Sequence, residues 1–304
     1  MKCRKCGGVA VINMRHHRLA LCRDHFLDWF VGYAQRSIEK LHMFESDDAV
    51  LVAVSGGKDS LALWDALVRL GYRADGLYID LGIGGDGGYS AASRDKAQAF
   101  ADERGLTLHV VSIAQTYGQS IPELARRSRR GRGKPCSVCG LVKRHVMNRV
   151  TLEGSYAALA TGHNTDDEAA VLFQNTLRWQ TGYLSRQAPV LEATRPGLAR
   201  KVKPLYRFYE REVAAYALVR PIDYIYEECP HAIGATTILY KELLNKLEAR
   251  SPGAKHGFYL EFLRAKRRGR LLLPPEKEVV LHPCDTCGQP TTAPGRCAFC
   301  RLWE

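Results

Sequence analysis

Ten cysteines carry most of the chemistry this chain could do, and spacing sorts them into three groups. Cys3-x2-Cys6 is followed, fifteen residues on, by Cys22-x2-His25. A CxxC turn sets two thiolates on one side of a tetrahedral ion, and a second pair closes the shell. Cys284-x2-Cys287 and Cys297-x2-Cys300 repeat the pattern among Gly288, Pro290, Pro294 and Gly295, which suit the tight knuckles of a zinc ribbon. Four ligands at each site leave no open position, so each is expected to hold one structural Zn²⁺. Both segments are too short for a core of their own, and metal binding would supply their folding free energy. The third group, Cys136-x2-Cys139, has its nearest further cysteine at Cys229, about ninety residues later. Three thiolates fit a cluster iron left with one non-protein position, a redox dithiol with a helper, or buried structural thiols.

A second chemical signal is Ser55-Gly56-Gly57-Lys58-Asp59-Ser60. Ala49–Val54 before it is apolar and β-branched, the pattern of a strand buried on both faces. After it, Leu61, Leu63, Trp64, Leu67, Val68 and Leu70 recur at helical spacing up to Gly71. Strand, glycine loop and helix start together aim backbone N–H groups and a helix dipole at an anion. Ser55 and Ser60 add hydroxyls. A Walker loop is excluded, because Val52 and Asp59 stand where it needs Gly and Ser or Thr. A third signal, Gly162-His163-Asn164-Thr165-Asp166-Asp167-Glu168, is acidic in a basic chain. One of Asp166 and Asp167 could cap a helix; the other could hold Mg²⁺ or position a proton-transfer group. Lys143 and Arg144 are either solvent-facing cations or charges that meet a reacting α-phosphate.

The elements that must position these residues alternate. Further strands are expected at 75–80, 107–113 and 156–161, with a glycine-rich loop over Gly82–Gly88 and helices over 91–104, about 141–152 and 169–179. Such alternation predicts an α/β fold with a doubly wound parallel sheet, its ligands at the carboxyl ends of the strands. SGGKDS and GHNTDDE both occupy such ends and are expected to meet in one cleft.

The chain has 304 residues, 46% hydrophobic and 25% charged, which excludes wholesale disorder. Its net charge of +12 predicts a polyanionic partner, nucleic acid first. Arg126, Arg127, Arg129, Arg130, Arg132 and Lys134 form one basic cluster; Arg264, Lys266, Arg267, Arg268 and Arg270 form another. Gly131 and Gly133 would keep the first mobile until RNA arrives. A polar start and no long apolar run predict a cytoplasmic protein without a membrane span.

SGGKDS after an apolar strand resembles the PP-loop of the ATP pyrophosphatases, which grips the β- and γ-phosphates while the α-phosphate is attacked. The ordered set CxxC…CxxH, SGGKDS, PCSVCG, TGHNTDDE, EECP at 227–230 and CxxC…CxxC spans nearly the whole chain. Together these motifs resemble the 2-thiouridine synthetases of the TtuA type, in the TtcA/TtuA family of tRNA thiolation enzymes. The resemblance implies a [4Fe-4S] cluster on Cys136, Cys139 and Cys229, and ATP with Mg²⁺ on the PP-loop. Its nucleotide contacts transfer to Ala53, Val54, Ser55, Gly56, Gly57, Lys58, Asp59, Ser60, Ile79, Gly162 and Asp167, with Lys143, Asp167 and Asp59 as catalytic candidates. The glycine-rich run Gly84–Gly88 departs from the family pattern. The activity implied is adenylation of O2 of a tRNA uridine and its replacement by sulfur, at position 54 of the T-loop. Alternatives are wobble uridine 34, a cluster-free PP-loop ligase acting on tRNA, and a non-enzymatic RNA-binding zinc protein. Implied partners are tRNA and a ubiquitin-like carrier ending in a thiocarboxylate; a homodimer is compatible but not dictated. The expected organisation is a zinc module (1–26), a linking helix (27–48), the PP-loop domain with its Fe–S site (49–235), a basic helical segment (236–275) and a zinc ribbon (276–304).

Overall fold

A computed structural model describes residues 1–85, 87–132, 135–271, 273–274 and 280–304. The chain opens with the antiparallel hairpin β1 (Ile12–Met14) and β2 (Leu19–Leu21), then α1 (Arg23–Lys40). Next come β3 (Ala49–Val54), α2 (Lys58–Arg69), β4 (Arg73–Asp80), α3 (Tyr89–Arg104) and β5 (Leu108–Ser112). They are followed by α4 (Ile113–Tyr117), α5 (Ile121–Arg127), α6 (Pro135–Glu153), β6 (Ala158–Thr161), α7 (Thr165–Leu177) and α8 (Thr181–Arg186). The remainder comprises β7 (Val190–Leu191), β8 (Lys201–Val202), α9 (Glu210–Val219), α10 (Thr236–Arg250), α11 (Ala254–Arg267), β9 (His282–Pro283) and β10 (Pro290–Thr291). Among the described residues no helix is long and apolar enough to cross a membrane.

The main sheet runs β5-β4-β3-β6-β8-β7, and every pairing is parallel except β7 with β8. The chain winds outward from β3 through β4 to β5, then returns to add β6 on the other side of β3. That reversal opens a crevice at the carboxyl ends of β3 and β6, where the two loops lie. Period-two alternation divides the core. Val50, Val52 and Val54 join the layer of α1, α2 and α9, in which Phe30 stacks on Tyr216 at 3.9 Å. Leu51, Leu77, Ile79 and Leu159 join the other layer, with Leu124, Val138, Val142 and Val146 and with Cys284, Cys297 and Phe299 of the carboxy-terminal module.

Several elements differ from expectation. The helix expected from about 141 begins at Pro135, which suits the first helical position because its missing N–H would be unpaired there. Cys136 and Cys139 therefore sit in a helical turn. The helix expected from 169 begins at Thr165 and stops at Leu177, and its cap is Asn164 rather than either aspartate. The Asn164 side chain accepts from the N–H groups of Asp166 and Asp167, and Asp167 accepts the Asn164 N–H at 3.0 Å. β7 and β8 carried no sequence signal, being two residues each. The linking helix expected at 27–48 is α1, which starts at Arg23 and so includes His25.

Candidate active site

The two loops meet backbone to backbone. A Cβ at Gly162 would fall 2.7 Å from the Asp59 carbonyl oxygen, and Asn164 Nδ2 donates to Asp59 Oδ1 at 3.1 Å. Gly56, at φ +74°, turns the chain sharply beside the Ser93 carbonyl. Gly57 caps α2 with no side chain on the free N–H groups, leaving donors and dipole open to an anion. Ser60 is used inside the loop instead. Its hydroxyl donates to Gly57 O at 3.0 Å and accepts from Ser55 N at 3.1 Å, which leaves the Ser55 hydroxyl, 3.3 Å away, to donate to it and to offer only its lone pairs outward.

An alternating charge cluster fills the crevice. Lys58 Nζ lies 3.0 Å from Asp59 Oδ2 and 2.8 Å from Glu210 Oε1. Lys241 Nζ lies 2.6 Å from Asp167 Oδ1 and 3.2 Å from Glu210 Oε2. Burial pushes the Asp59 carboxyl above its ordinary range; Lys58 opposes this, while Asp167 and Glu210 add to it. Glu210 moves the other way: burial raises it, but Lys241 and Lys58 outweigh that and hold it low. Three carboxylates around two ammonium groups suit a site that receives a divalent cation with phosphate. Glu210 opens α9 and Lys241 lies on α10, far away in sequence, and neither carried a motif.

Helix α6 supplies the opposite wall. Cys136, Cys139 and Lys143 occupy positions i, i+3 and i+7, one face of the helix. Lys143 lines a pocket with Ala53, Val54, Ser55, Ile79, Tyr89 and Ser93, which gathers four of the expected nucleotide contacts with the expected catalytic lysine. Cys229 reaches the same region from 224–229, a segment tied to the phosphate loop by Ile225 N donating to Gly56 O at 2.9 Å. Cys136 Sγ approaches His231 O at 3.4 Å. Burial raises the Cys139 thiol, Lys143 lowers it, and Cys136 and Cys229 raise it further. Tyr89, on the pocket wall, is raised by burial and then by Cys229, Glu228 and Cys139. Nucleotide pocket and thiol trio therefore adjoin.

The terminal sites have a different geometry. Metal–sulfur bonds of about 2.3 Å in a tetrahedron put thiolates about 3.8 Å apart. Cys6–Cys22 is 3.8 Å, Cys284–Cys300 is 3.7 Å and Cys287–Cys297 is 3.8 Å, while His25 Nδ1 lies 3.5 Å from Cys3 and 3.2 Å from Cys22. Both four-residue sets can hold a metal ion. Burial opposes ionisation of Cys3, but N–H groups of Cys22, Cys6 and Lys5 bring it down to about 5; those of Cys297, Cys287 and Thr286 likewise bring Cys284 to about 6. Among the described residues the ligand atoms of Cys136, Cys139 and Cys229 form no set as tight as these.

The first basic cluster is more structured than expected. Arg126, Arg129, Arg130 and Arg132 are exposed. Arg127, however, donates to Leu302 O at 2.9 Å and fastens the carboxy-terminal module. Gly131 is buried, its N–H bonded to Ser128 O at 3.1 Å, so it packs rather than hinges. Gly133 and Lys134 lie outside the described residues, as do Asp86 of the glycine-rich run and the expected domain boundary at 275–276. In the second cluster, Arg264, Arg267, Arg268 and Arg270 are exposed.

Residues 2–27 match the family described as 2-thiouridine synthetase TtuA, N-terminal LIM domain, and residues 32–232 match the PP-loop domain family. The tRNA-5-methyluridine(54) 2-sulfurtransferase of Thermus thermophilus is 54% identical over 304 residues, spanning 100% of this chain and 91% of its own. Its namesake from Pyrococcus horikoshii is 41% identical, spanning 100% and 94%. Cytoplasmic tRNA 2-thiolation protein 1 of Debaryomyces hansenii is 30% identical, spanning 82% and 67%. Among solved structures, U34-tRNA thiolase NcsA from Methanococcus maripaludis with its [4Fe-4S] cluster superposes with a TM-score of 0.77 at 25% identity, covering 88% of each chain.

Proposed function

This chain belongs to the TtuA family of PP-loop 2-thiouridine synthetases, and from that premise we propose that it is an ATP-dependent tRNA 2-sulfurtransferase acting on uridine 54 of the T-loop. The observation that carries the reading is the 54% identity along the full chain to a position-54 enzyme. The relative named for cytoplasmic 2-thiolation stands at 30% and the wobble-uridine thiolase at 25%.

ATP is placed with its β- and γ-phosphates on the free N–H groups at the start of α2 and its α-phosphate toward Lys143. Asp59 and Asp167 are the groups to hold Mg²⁺ on the phosphate oxygens. Lys58 and Lys241 keep those carboxylates in place, and a divalent charge would favour the ionised form of Asp59 against the burial, and the lesser repulsion from Asp167 and Glu210, that raise it. O2 of the uridine attacks the α-phosphate and pyrophosphate leaves. Lys143 neutralises the charge that builds on the non-bridging oxygens. Adenylation turns O2 into a good leaving group; sulfur takes its place at C2 and AMP departs with the oxygen. The apolar side chains of Leu77, Ile79 and Leu81 on the pocket wall help exclude water that would otherwise hydrolyse the activated base. A [4Fe-4S] cluster on Cys136, Cys139 and Cys229 would supply an iron free of protein thiolate at which sulfur is presented. The two terminal shells hold Zn²⁺, and sulfur arrives on a ubiquitin-like carrier with a carboxy-terminal thiocarboxylate. Exposed arginines of both basic clusters grip the tRNA backbone.

The test is anaerobic reaction of the iron-loaded protein with ATP, sulfide and tRNA lacking the modification, followed by positional nucleoside mass spectrometry. Expected is ATP-dependent 2-thiouridine at position 54 with release of AMP and pyrophosphate. Sulfur at position 34 alone, or full activity in iron-free protein, would overturn the reading.

A further inference from the structure

A cluster of metal-binding groups lies outside both cysteine shells and outside the nucleotide crevice. His16 and His17 end the single 3-10 turn Arg15–His17 between β1 and β2, and Glu212 lies in the first turn of α9. His16 Nε2 is 3.1 Å from Glu212 Oε1, and His17 Nε2 is 4.0 Å from the same oxygen. All three ligand atoms fall within 4.8 Å of one another. Each is buried and none makes a hydrogen bond of acceptable geometry, so the His16–Glu212 approach is a contact without a well-aimed proton. Orphaned buried polar atoms are rare in folded proteins and point to an ion or water between them.

We propose that His16, His17 and Glu212 form a third metal site, for a first-row divalent ion of the Zn²⁺ class, which clamps the amino-terminal module to α9. Ligand bonds of about 2.0–2.2 Å in a tetrahedron put donor atoms about 3.4 Å apart, between the two separations observed. Two imidazoles and one carboxylate suit borderline ions rather than Mg²⁺ or Ca²⁺. The donors are held in place by their neighbours. His16 stacks on Tyr209 at 3.9 Å, and His17 stands edge-on to Trp29 and Tyr33 at 5.3 Å. Glu212 is 2% exposed, and its other oxygen accepts Tyr209 N at 2.9 Å, which turns Oε1 toward the histidines. A cavity of about 320 Å³ lined by His16, His17, Tyr33, Arg207 and His256 gives room for a fourth ligand. Arg207 opposes a cation there, and the Glu212 carboxylate offsets it; the fourth ligand is accordingly a water or a small anion.

The test is a calorimetric titration of the full chain, both cysteine shells already filled, with Zn²⁺. Expected is a further equivalent with a dissociation constant of about 10 µM or tighter. It should vanish in His17→Ala and weaken at least about tenfold in Glu212→Gln, which keeps the hydrogen bond to Tyr209 N. Co²⁺ in this site should show ligand-field bands without the thiolate charge-transfer band of the cysteine shells. Metal retained in both shells reports that the variants fold. The proposal is overturned if no further equivalent binds, if the only one carries the thiolate band, or if it persists unchanged in both variants.

Discussion

The terminal cysteine sets and the central trio use the same side chain for opposite ends. Each terminal shell is built from two sequence-local knuckles whose backbone N–H groups already favour thiolate, and its four ligands sit at the spacing of one tetrahedral ion. The central trio draws two thiols from the first turns of α6 and a third from a segment bonded to the phosphate loop. It comprises three thiols rather than four ligands and adjoins, through Tyr89 and Lys143, the pocket those two residues line. Closure makes a metal structural; an open side turned toward a substrate cleft makes it chemical.

The largest expected effect would break the comparison outright. Cys229→Ser should abolish thiolation under anaerobic conditions while both terminal shells keep their metal by elemental analysis; normal thiolation would end the distinction. Next, Cys297→Ser should unfold the carboxy-terminal module, whose metal contributes on the order of 10 kcal/mol to local folding. Hydrogen exchange over 280–304 would rise, and activity would fall only as far as α6 loses its support. The third expectation sharpens the role of the α6 face. Lys143→Ala should lower kcat by about 10²–10³ with little change in KM for ATP, and Lys143→Arg should restore part of it.

The smallest effect is on pH. His145 stacks on Phe299 at 3.6 Å, and burial, helped by Arg149, pushes it down to about 4. The unfolded chain takes up this proton near pH 6.5 and the folded chain does not. Stability from His145 is therefore complete above about pH 6.5, declines as pH falls and levels off below about 4. At pH 5 the loss should be about 1 kcal/mol once solvent screening is allowed for, read as a shift in melting temperature that His145→Asn flattens.

Most of the sheet was legible because β3 and its flanking loops carry strong local patterns. The site was legible wherever a motif is contiguous: SGGKDS, the CxxC pairs and GHNTDDE. Glu210, Lys241, Asn164 and Ile225 were not. Glu210 and Lys241 are lone charges on helix faces, and only the folding of α9 and α10 across the crevice gives them partners. The role of Asn164 was hidden by the more conspicuous aspartates beside it, and that of Ile225 rests on a backbone N–H, which no side chain announces. Two-residue strands such as β7 and β8 owe their existence to the neighbouring strand rather than to their own sequence.

The hydrogen bond from Ile225 N to Gly56 O has a practical corollary. It leaves only the run 225–229 between the phosphate loop and Cys229, so a shift of Gly56 on nucleotide binding is expected to reach that thiol. Were that thiol to hold iron, the absorption or magnetic spectrum of the iron should change when ATP binds, even before any tRNA is present.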